Sequence, residues 1–166
     1  RDNIGGISNG VNLQQRFGLV SLGSLPKWSE EEVKGKEIIT LTQPTSQYSE
    51  AFRTIRTNLQ FASARSSTRS ILVTSPRPGD GKSTIASNLA VVMAQAGKRT
   101  VLIDCDLRKP SIRHHFGLPT DNEGLTNFLV DDSLETPNTI LHHADVDGLE
   151  IVPSGPIPPN PAELLD

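Results

Sequence analysis

The chain is poor in cysteine, in basic charge and in long apolar runs. It has one cysteine among 166 residues, which excludes an internal disulfide framework and fits a reducing compartment. The formal net charge is −3, so the chain lacks the basic face of a non-specific nucleic-acid binder. No apolar stretch approaches the roughly 18 residues that a transmembrane helix needs, and no signal peptide is visible. These absences exclude a disulfide scaffold, a nucleic-acid partner and a membrane span within the chain.

What is present divides the chain into two parts. Residues 1–47 are rich in glycine, serine, asparagine and glutamine, with one short apolar segment, 17–25, that ends at Pro26. Such a composition is typical of a linker. The apolar residues are concentrated after Tyr48, so residues 48–166 are expected to form the packed domain. Because the chain does not begin with Met and ends just after a helix-start signal, we expect it to be a piece of a longer protein.

An amphipathic helix is predicted between residues 47 and 61. Four apolar residues recur at helical spacing and form one stripe: Tyr48, Phe52, Ile55 and Leu59. A second face carries Glu50, Arg53 and Arg56 at i, i+3 and i+6. Spacing alone favours a solvated face with weak intrahelical ion pairs, and an interface between subunits is the alternative.

Residues 71–88 read ILVTSPRPGDGKSTIASN, which predicts a strand at 70–74, a tight turn and a helix at 82–96. Such a turn aims backbone N–H groups inward, and the following helix presents its positive end to an anion. Lys82 is placed to reach the β- and γ-phosphates of a nucleotide, and the Ser83 hydroxyl suits Mg²⁺. Pro76 stands where the strict Gly-x4-Gly-Lys-Ser/Thr pattern has glycine. An ordinary glycine-rich turn would not account for the lysine and two hydroxyls that follow the last glycine.

Two carboxylates, Asp104 and Asp106, follow the apolar segment 99–104, which predicts a strand buried on both faces. Open α/β sheets bind their ligands at the carboxyl ends of the strands. Residues i and i+2 of a strand point the same way, so both acids are able to face a Mg²⁺–phosphate site. Solvated turn acids are the alternative, but the phosphate loop in the preceding strand–helix unit favours a functional pair.

The rest of the chain completes an alternation of strands and helices. A short helix is predicted within Asn122 to Val130, beginning near Leu125, and a strand is predicted at 149–152. A proline-rich loop at 154–161 then leads to a helix start with Asn160 as N-cap and Glu163 completing a capping box. This order predicts an α/β fold, with a doubly wound, mostly parallel sheet and right-handed crossovers.

Four segments together resemble the bacterial protein-tyrosine kinases of exopolysaccharide and capsule synthesis. They read EAFRTIRTNLQF, SPRPGDGKST, VLIDCDLRKP and SGPIPPNPAELL, in that order. The resemblance covers about residues 47–166. The preceding FGLVSLGSLP also resembles the stretch that joins such a kinase to its membrane-anchored chain-length-determining partner, so residues 1–47 would be a juxtamembrane linker.

The resemblance implies a P-loop NTPase fold of the deviant Walker A group, with Walker A at 75–84 and Walker A′ at 101–106. It implies ATP and Mg²⁺ as cofactors and autophosphorylation on tyrosines. Lys82, Asp104 and Asp106 would be catalytic, with Asp104 most directly involved with the acceptor hydroxyl and Asp106 supporting it. Ser83 and Asp104 would hold the metal. The nucleotide-binding residues would be Pro78, Gly79, Asp80, Gly81, Lys82, Ser83 and Thr84.

The resemblance also implies partners and a location. Glu50, Arg53 and Arg56 match a Glu-x-x-Arg-x-x-Arg segment that implies self-association into a ring-like homo-oligomer. The acceptor tyrosines would lie mainly in a C-terminal tail that a neighbouring subunit phosphorylates. The membrane-anchored chain-length determinant, fused or separate, would hold the protein at the cytoplasmic face of the bacterial inner membrane, without nucleic acid.

Two other functions remain open at this stage. One is an ATPase switch of the partitioning or septum-placement type, in which Arg77 occupies the position of a lysine that acts across a dimer; Arg77 is otherwise a solvated loop residue. The other is a non-catalytic, nucleotide-binding adaptor of a polysaccharide polymerase.

In folds of this group a Walker B strand lies between the Walker A and Walker A′ strands, and it would follow Asp166. An isolated 1–166 fragment is therefore expected to be truncated before that strand, poorly stable and inactive, with exposed apolar strand edges.

Several chemically capable side chains are interpreted as structural. Tyr48 is expected to pack on the apolar stripe, and Cys105 is expected to be a core thiol. Adjacent histidines diverge and do not easily share a metal, so His114–His115 and His142–His143 are not assigned a zinc site. Arg108 and Lys109 form either a basic turn or a contact to phosphate or to an acidic acceptor segment.

Overall fold

The structure is a computed structural model that describes residues 17–28, 35, 37–63, 68–119, 123–131 and 137–165. The α-helices of the described part are α1 (Ile39–Thr42), α2 (Gln47–Ser63), α3 (Lys82–Gln95), α4 (Ile112–His115) and α5 (Leu125–Val130). The strands are β1 (Thr100–Ile103), β2 (His142–His143) and β3 (Leu149–Val152), and 3-10 turns span Pro137–Ile140 and Glu163–Leu165. Helices α2, α3 and α5 and strands β1 and β3 confirm the predicted elements. The short α1, α4 and β2 were not predicted.

Strand β3 forms the centre of a three-stranded sheet with the order β1-β3-β2. It pairs in parallel with β1, with Thr100 opposite Leu149, and antiparallel with the two-residue β2. Ile151 of β3 is completely buried. The parallel pair confirms the predicted crossover connection, and β2 makes the sheet mixed.

Helix α3 lies between two apolar clusters, and this position explains its apolar sequence. On one side Val91 packs with the sheet residues Leu102 and Ile151. On the other side Val92 packs with Phe52 of α2. Because both sides of α3 are buried, the residues at its N-terminus are held in a fixed position relative to the sheet.

Part of the segment before α2 is packed, where the sequence suggested a linker, although its first described residues are exposed. The Trp28 ring meets Tyr48 edge-on at a centroid distance of 5.4 Å, which confirms the packing role of Tyr48. The Asn58 amide donates a hydrogen bond to the Leu22 carbonyl at 2.9 Å. Ile39 is 1% exposed. The segment preceding α2 therefore contributes to the hydrophobic core.

Asn88 joins this segment to α3 through a buried set of hydrogen bonds. Its Oδ1 accepts from the backbone N–H and the hydroxyl of Thr40, at 3.0 and 2.9 Å. Its Nδ2 donates to the carbonyls of Glu37 and Thr84, both at 2.8 Å. Asn88 is completely buried, and each buried polar group left without its partner would cost about 1–3 kcal/mol. The turn of α3 that contains Thr84 is thus fixed to residues 37–40.

The predicted strand at 70–74 is wrong for this structure. These residues form no strand, and Leu72 is 85% exposed. The predicted double-sided burial of β1 is also wrong, because Val101 and Ile103 are about half exposed. Among the described residues β1 pairs with β3 only, so its other edge has no strand partner. An extended segment needs a hydrogen-bonded neighbour to become a strand, and none of the described residues supplies one to 70–74.

No helix in the described ranges is both long enough and apolar enough to cross a membrane.

His115 makes the stability of the fold depend on pH. Its Nδ1 lies 3.1 Å from the hydroxyl of the fully buried Ser87, so the ring links α4 to α3. Burial lowers the pKa of His115 below its ordinary 6.5, against the opposing charges of Glu37 and Asp104. As the pH falls below 6.5, the unfolded chain binds a proton that the folded chain resists, so this contribution to stability is lost.

We expect the free energy of unfolding to fall less between pH 7.5 and 5.5 in His115→Asn than in the wild type. His114→Asn, at the exposed neighbouring position, is the matched control; because the His114 charge is the smallest of the causes that shift the pKa of His115, this variant should nearly retain the wild-type pH dependence. Urea denaturation at several pH values measures both variants. An unchanged pH dependence in His115→Asn would show that this ring does not couple protonation to folding.

Candidate functional site

The loop before α3 leaves the start of this helix open to an anion. Gly79 and Gly81 have φ angles of +84° and +85°, a left-handed conformation that favours glycine. Gly81 precedes the first helical residue, and no side chain caps the helix there. Ile85 N–H closes the first turn onto the Gly81 carbonyl at 2.8 Å. The earlier N–H groups of this turn have no protein acceptor within the described residues, which is the arrangement that binds phosphate.

The outer part of the loop is braced by its own side chains. The Ser75 hydroxyl donates to the Arg77 carbonyl at 2.9 Å, and the Asp80 carboxylate accepts from the Arg77 N–H at 3.1 Å. Asp80, predicted to bind nucleotide, therefore shapes the turn in this structure. The side chains of Pro78 and Arg77 are exposed. The braces leave Lys82 and Ser83, at the start of α3, uncovered by the loop's own side chains.

The two segments singled out by the sequence meet at one site. Lys82 Nζ lies 3.8 Å from Asp106 Oδ2, and both side chains are 30% exposed. A partly exposed pair of this kind contributes little to stability, so the contact is informative for its position. The loop before α3 and the turn after β1 lie side by side at the carboxyl end of the sheet, as the sequence indicated.

Asp104 is buried and is used by the backbone around it. Its Oδ1 accepts from the Asp106 N–H, and its Oδ2 accepts from the Ser111 and Ile112 N–H groups, all at 3.1 Å. Burial raises the pKa of Asp104, although these N–H groups partly offset the effect. A carboxylate oxygen has two lone pairs, so Oδ2 is saturated and only Oδ1 retains one. Asp104 therefore closes the turn and begins α4.

One carboxylate oxygen of Asp106 accepts no hydrogen bond from the described residues. Its Oδ1 accepts from the N–H groups of Arg108 and Lys109, at 3.3 and 3.0 Å, while its Oδ2 faces Lys82. The sequence assigned the more direct role to Asp104. The geometry instead places Asp106 next to Lys82, and Asp104 one hydrogen bond behind it.

The oxygen donors at this site suit Mg²⁺. This ion is usually bound through one or two carboxylates together with phosphate oxygens, and Ser83 and Asp106 supply such donors beside the phosphate loop. Asp104 is able to contribute only through its remaining Oδ1 lone pair. Within the described residues, no group of three or more His, Cys, Asp or Glu side chains is arranged to hold a metal ion alone.

Cys105 is exposed, so the prediction of a core thiol is wrong. It follows β1, whose outer face is uncovered in the described part of the chain. Partial burial and the adjacent Asp104 charge raise the pKa of Cys105. The thiol is therefore protonated at neutral pH and is a poor nucleophile.

The residues predicted to form an oligomer interface are divided between two roles. Arg53 pairs with Glu50 within α2. Arg56 Nη1 donates to the Val92 carbonyl at 3.0 Å, close to the end of α3, where carbonyls lack helical partners and a cation is favourable. Arg56 thus caps α3, and only Glu50 and Arg53 remain as a pair on the α2 surface.

Sequence reasoning missed Asn88 and Ser87, the buried polar residues of α3. Their signal was available, since both are small polar residues one turn beyond the Gly-Lys-Ser-Thr segment in an otherwise apolar helix. Such residues remain inside a core only when they are hydrogen-bonded.

Comparison with known proteins identifies the fold. A model of the ParA family, described as NUBPL iron-transfer P-loop NTPase, matches residues 66–142. The chimeric protein CapA2B2 superimposes with a TM-score of 0.80 and 42% identity, over 95% of this chain and 65% of that one. The BceF tyrosine kinase domain gives a TM-score of 0.79 and 33% identity, over 95% and 66%. The fold is that of a P-loop NTPase.

The most similar sequences include proteins named as tyrosine-protein kinases. The tyrosine-protein kinase YwqD of Bacillus subtilis is 48% identical over 130 residues, which cover 78% of this chain and 54% of YwqD. The putative tyrosine-protein kinase CapB of Staphylococcus aureus is 41% identical over 123 residues, covering 74% and 53%. By sequence and fold the chain is a relative of the bacterial tyrosine-protein kinases. It spans about half the length of these curated relatives.

Proposed function

We propose that the protein is an ATP-dependent protein-tyrosine autokinase that regulates the chain length, polymerisation and export of an exopolysaccharide. The observation that carries this proposal is the contact of Lys82 with Asp106 beside the uncapped start of α3. That site combines N–H donors, one cation and one free carboxylate oxygen, which phosphoryl transfer requires for positioning and charge neutralisation. The relatives named as tyrosine-protein kinases support the choice of acceptor.

The roles of the residues follow from their contacts. The N–H groups at the start of α3 and the Lys82 ammonium hold the terminal phosphates, and Thr84 lies next in the helix for the α-phosphate. Ser83 and Asp106 Oδ2 would hold Mg²⁺, with the remaining Asp104 lone pair as a third donor. Bound ATP supplies the phosphoryl group. Asp104 acts mainly by fixing the turn on which Asp106 is placed.

The formation of phosphotyrosine distinguishes a tyrosine kinase from an ATPase switch. With [γ-³²P]ATP, the full-length protein should place label on its own tyrosines. Label released only as free phosphate would instead indicate the partitioning type of ATPase. Normal ATP affinity without phosphotyrosine would indicate a non-catalytic adaptor.

We infer that the partner is a membrane-anchored chain-length determinant, fused or separate, at the cytoplasmic face of the membrane. The packing of Leu25 and Trp28 against the apolar cluster that includes Tyr48 and Phe52 of α2 supports this inference, because it ties a segment with the character of a juxtamembrane linker to the kinase unit. The acceptor would be the tyrosine-rich tail of a neighbouring subunit in a ring-like homo-oligomer.

The self-association surface is tested best at Arg53. A charge reversal at Arg56 would also remove its hydrogen bond to the end of α3. An effect on assembly could then not be distinguished from an effect on folding. We expect Arg53→Glu to lower the oligomer mass of the full-length protein in light scattering, because the Glu50–Arg53 pair lies on the exposed side of α2. The swapped variant Glu50→Arg/Arg53→Glu restores the intrahelical pair and tests whether helix stability alone is responsible. An unchanged mass in Arg53→Glu would remove this residue from the interface.

A further inference from the structure

The turn after β1 is built as a rigid platform. Asp104 holds its two ends, by accepting from the Asp106 N–H at the start and from the Ser111 and Ile112 N–H groups at the finish. Asp106 Oδ1 holds its middle through the N–H groups of Arg108 and Lys109. Five backbone donors of one short loop are thus bound by two carboxylates.

The platform carries two exposed cationic side chains that form no ion pair with the described residues. The side chains of Arg108 and Lys109 are exposed, whereas the neighbouring Leu107 is 2% exposed and anchors the turn. Neither cation has an ion-pair partner among the described residues. Because the backbone is already ordered, binding an anion here would not incur the additional cost of ordering the loop.

The position of the platform indicates what it binds. Asp106 orders the turn with its Oδ1 and faces Lys82 with its Oδ2. The two cations on this turn therefore lie at the rim of the phosphoryl-transfer site. A rim charge of this kind steers and selects a charged partner more than it adds affinity. Two cations on a chain of net charge −3 are too few for a membrane surface, which usually needs a cluster of about 4–8.

We propose that Arg108 and Lys109 select acceptor segments in which acidic side chains flank the tyrosine. This proposal rests on the proposed kinase function and deepens it by naming the substrate class. Each flanking carboxylate would pair with one cation while the tyrosine hydroxyl reaches the site beside Asp106.

The test compares the full-length wild type with Arg108→Ala/Lys109→Ala and with a matched control, Lys98→Ala/Arg99→Ala. The control removes the same charge from an exposed pair at the other end of β1. One acceptor peptide has a tyrosine flanked by glutamates, and the other has glutamines in their place. A fluorescent version of the acidic peptide with phenylalanine for tyrosine measures binding by anisotropy without any reaction.

We expect the wild type to prefer the acidic peptide in kcat/KM, and Arg108→Ala/Lys109→Ala to lose about tenfold for that peptide only. Anisotropy should show the same loss and a weaker dependence on salt, with KM for ATP within about twofold. The control variant should behave as the wild type. If neither the wild type nor any variant forms phosphotyrosine, the proposed kinase function is wrong. The anisotropy result still shows whether the acidic peptide is recognised.

Three results would overturn the proposal. The first is an unchanged ratio between the acidic and glutamine peptides. The second is an equal loss for both peptides together with a raised KM for ATP, which would assign the turn to the nucleotide. The third is a loss of binding to phosphatidylserine vesicles with no change for either peptide, which would assign the turn to a lipid surface.

Discussion

Lys82→Met is expected to reduce tyrosine autophosphorylation of the full-length protein by at least about a hundredfold. Lys82 is the first residue of α3 and is placed beside the open N–H groups of its first turn. Loss of one well-placed donor that neutralises charge in the transition state typically costs about 3 kcal/mol of barrier. The side chain is partly exposed and its ion pair with Asp106 is long, so the substitution should leave the fold intact.

The control for this variant is Lys98→Met. Lys98 is exposed beyond the other end of α3, about 20 Å away along a helix of this length. Its activity and its melting temperature should match the wild type. A Lys82→Met protein that folds and still forms phosphotyrosine at the wild-type rate would show that phosphoryl transfer occurs elsewhere.

Replacing each of the two carboxylates by asparagine should distinguish their roles. Asp106→Asn removes the charge beside Lys82 but retains an oxygen for the turn, so we expect activity to fall by about a hundredfold with little change in stability. Asp104→Asn leaves at least one of three buried or partly buried N–H groups without its acceptor, which should cost about 1–3 kcal/mol of folding free energy. Activity should fall as well, because the turn that holds Asp106 is loosened.

Denaturant unfolding together with the initial rate of phosphotyrosine formation measures this separation. The unfolding of Asp104→Asn should be compared at acidic and neutral pH. Burial raises the pKa of Asp104, so its charged form opposes folding as the pH rises, and asparagine removes that part of the pH dependence. If Asp104→Asn is fully stable and inactive while Asp106→Asn is active, the assignment of the two acids is reversed.

The sequence was sufficient where one local pattern determines the structure. The stripe on α2 and the segment Leu149–Val152 appear as predicted. The approach of Lys82 to Asp106 followed from the general position of ligands at the carboxyl ends of strands. These features depend on spacing within a segment or on the order of segments.

The sequence was insufficient where a residue's role depends on distant backbone atoms. Which acid faces Lys82 is decided by the N–H groups of Ser111 and Ile112, seven and eight residues after Asp104. Arg56 turns toward α3 because that helix ends beside it, which helical spacing on α2 does not reveal. Residues 70–74 have the composition of a strand, but a strand also needs a neighbour with which to pair.

The central claim is that the terminal phosphates of a nucleotide are held between the turn at Lys82 and the turn at Asp106. Hydrogen exchange of the full-length protein, with and without Mg-ATP, tests it most directly. We predict that Mg-ATP slows exchange of the N–H groups at 79–84 and of the turn at 105–109, and that Lys82→Met removes this protection. Binding of Mg-ATP with no protection in either segment would contradict the claim.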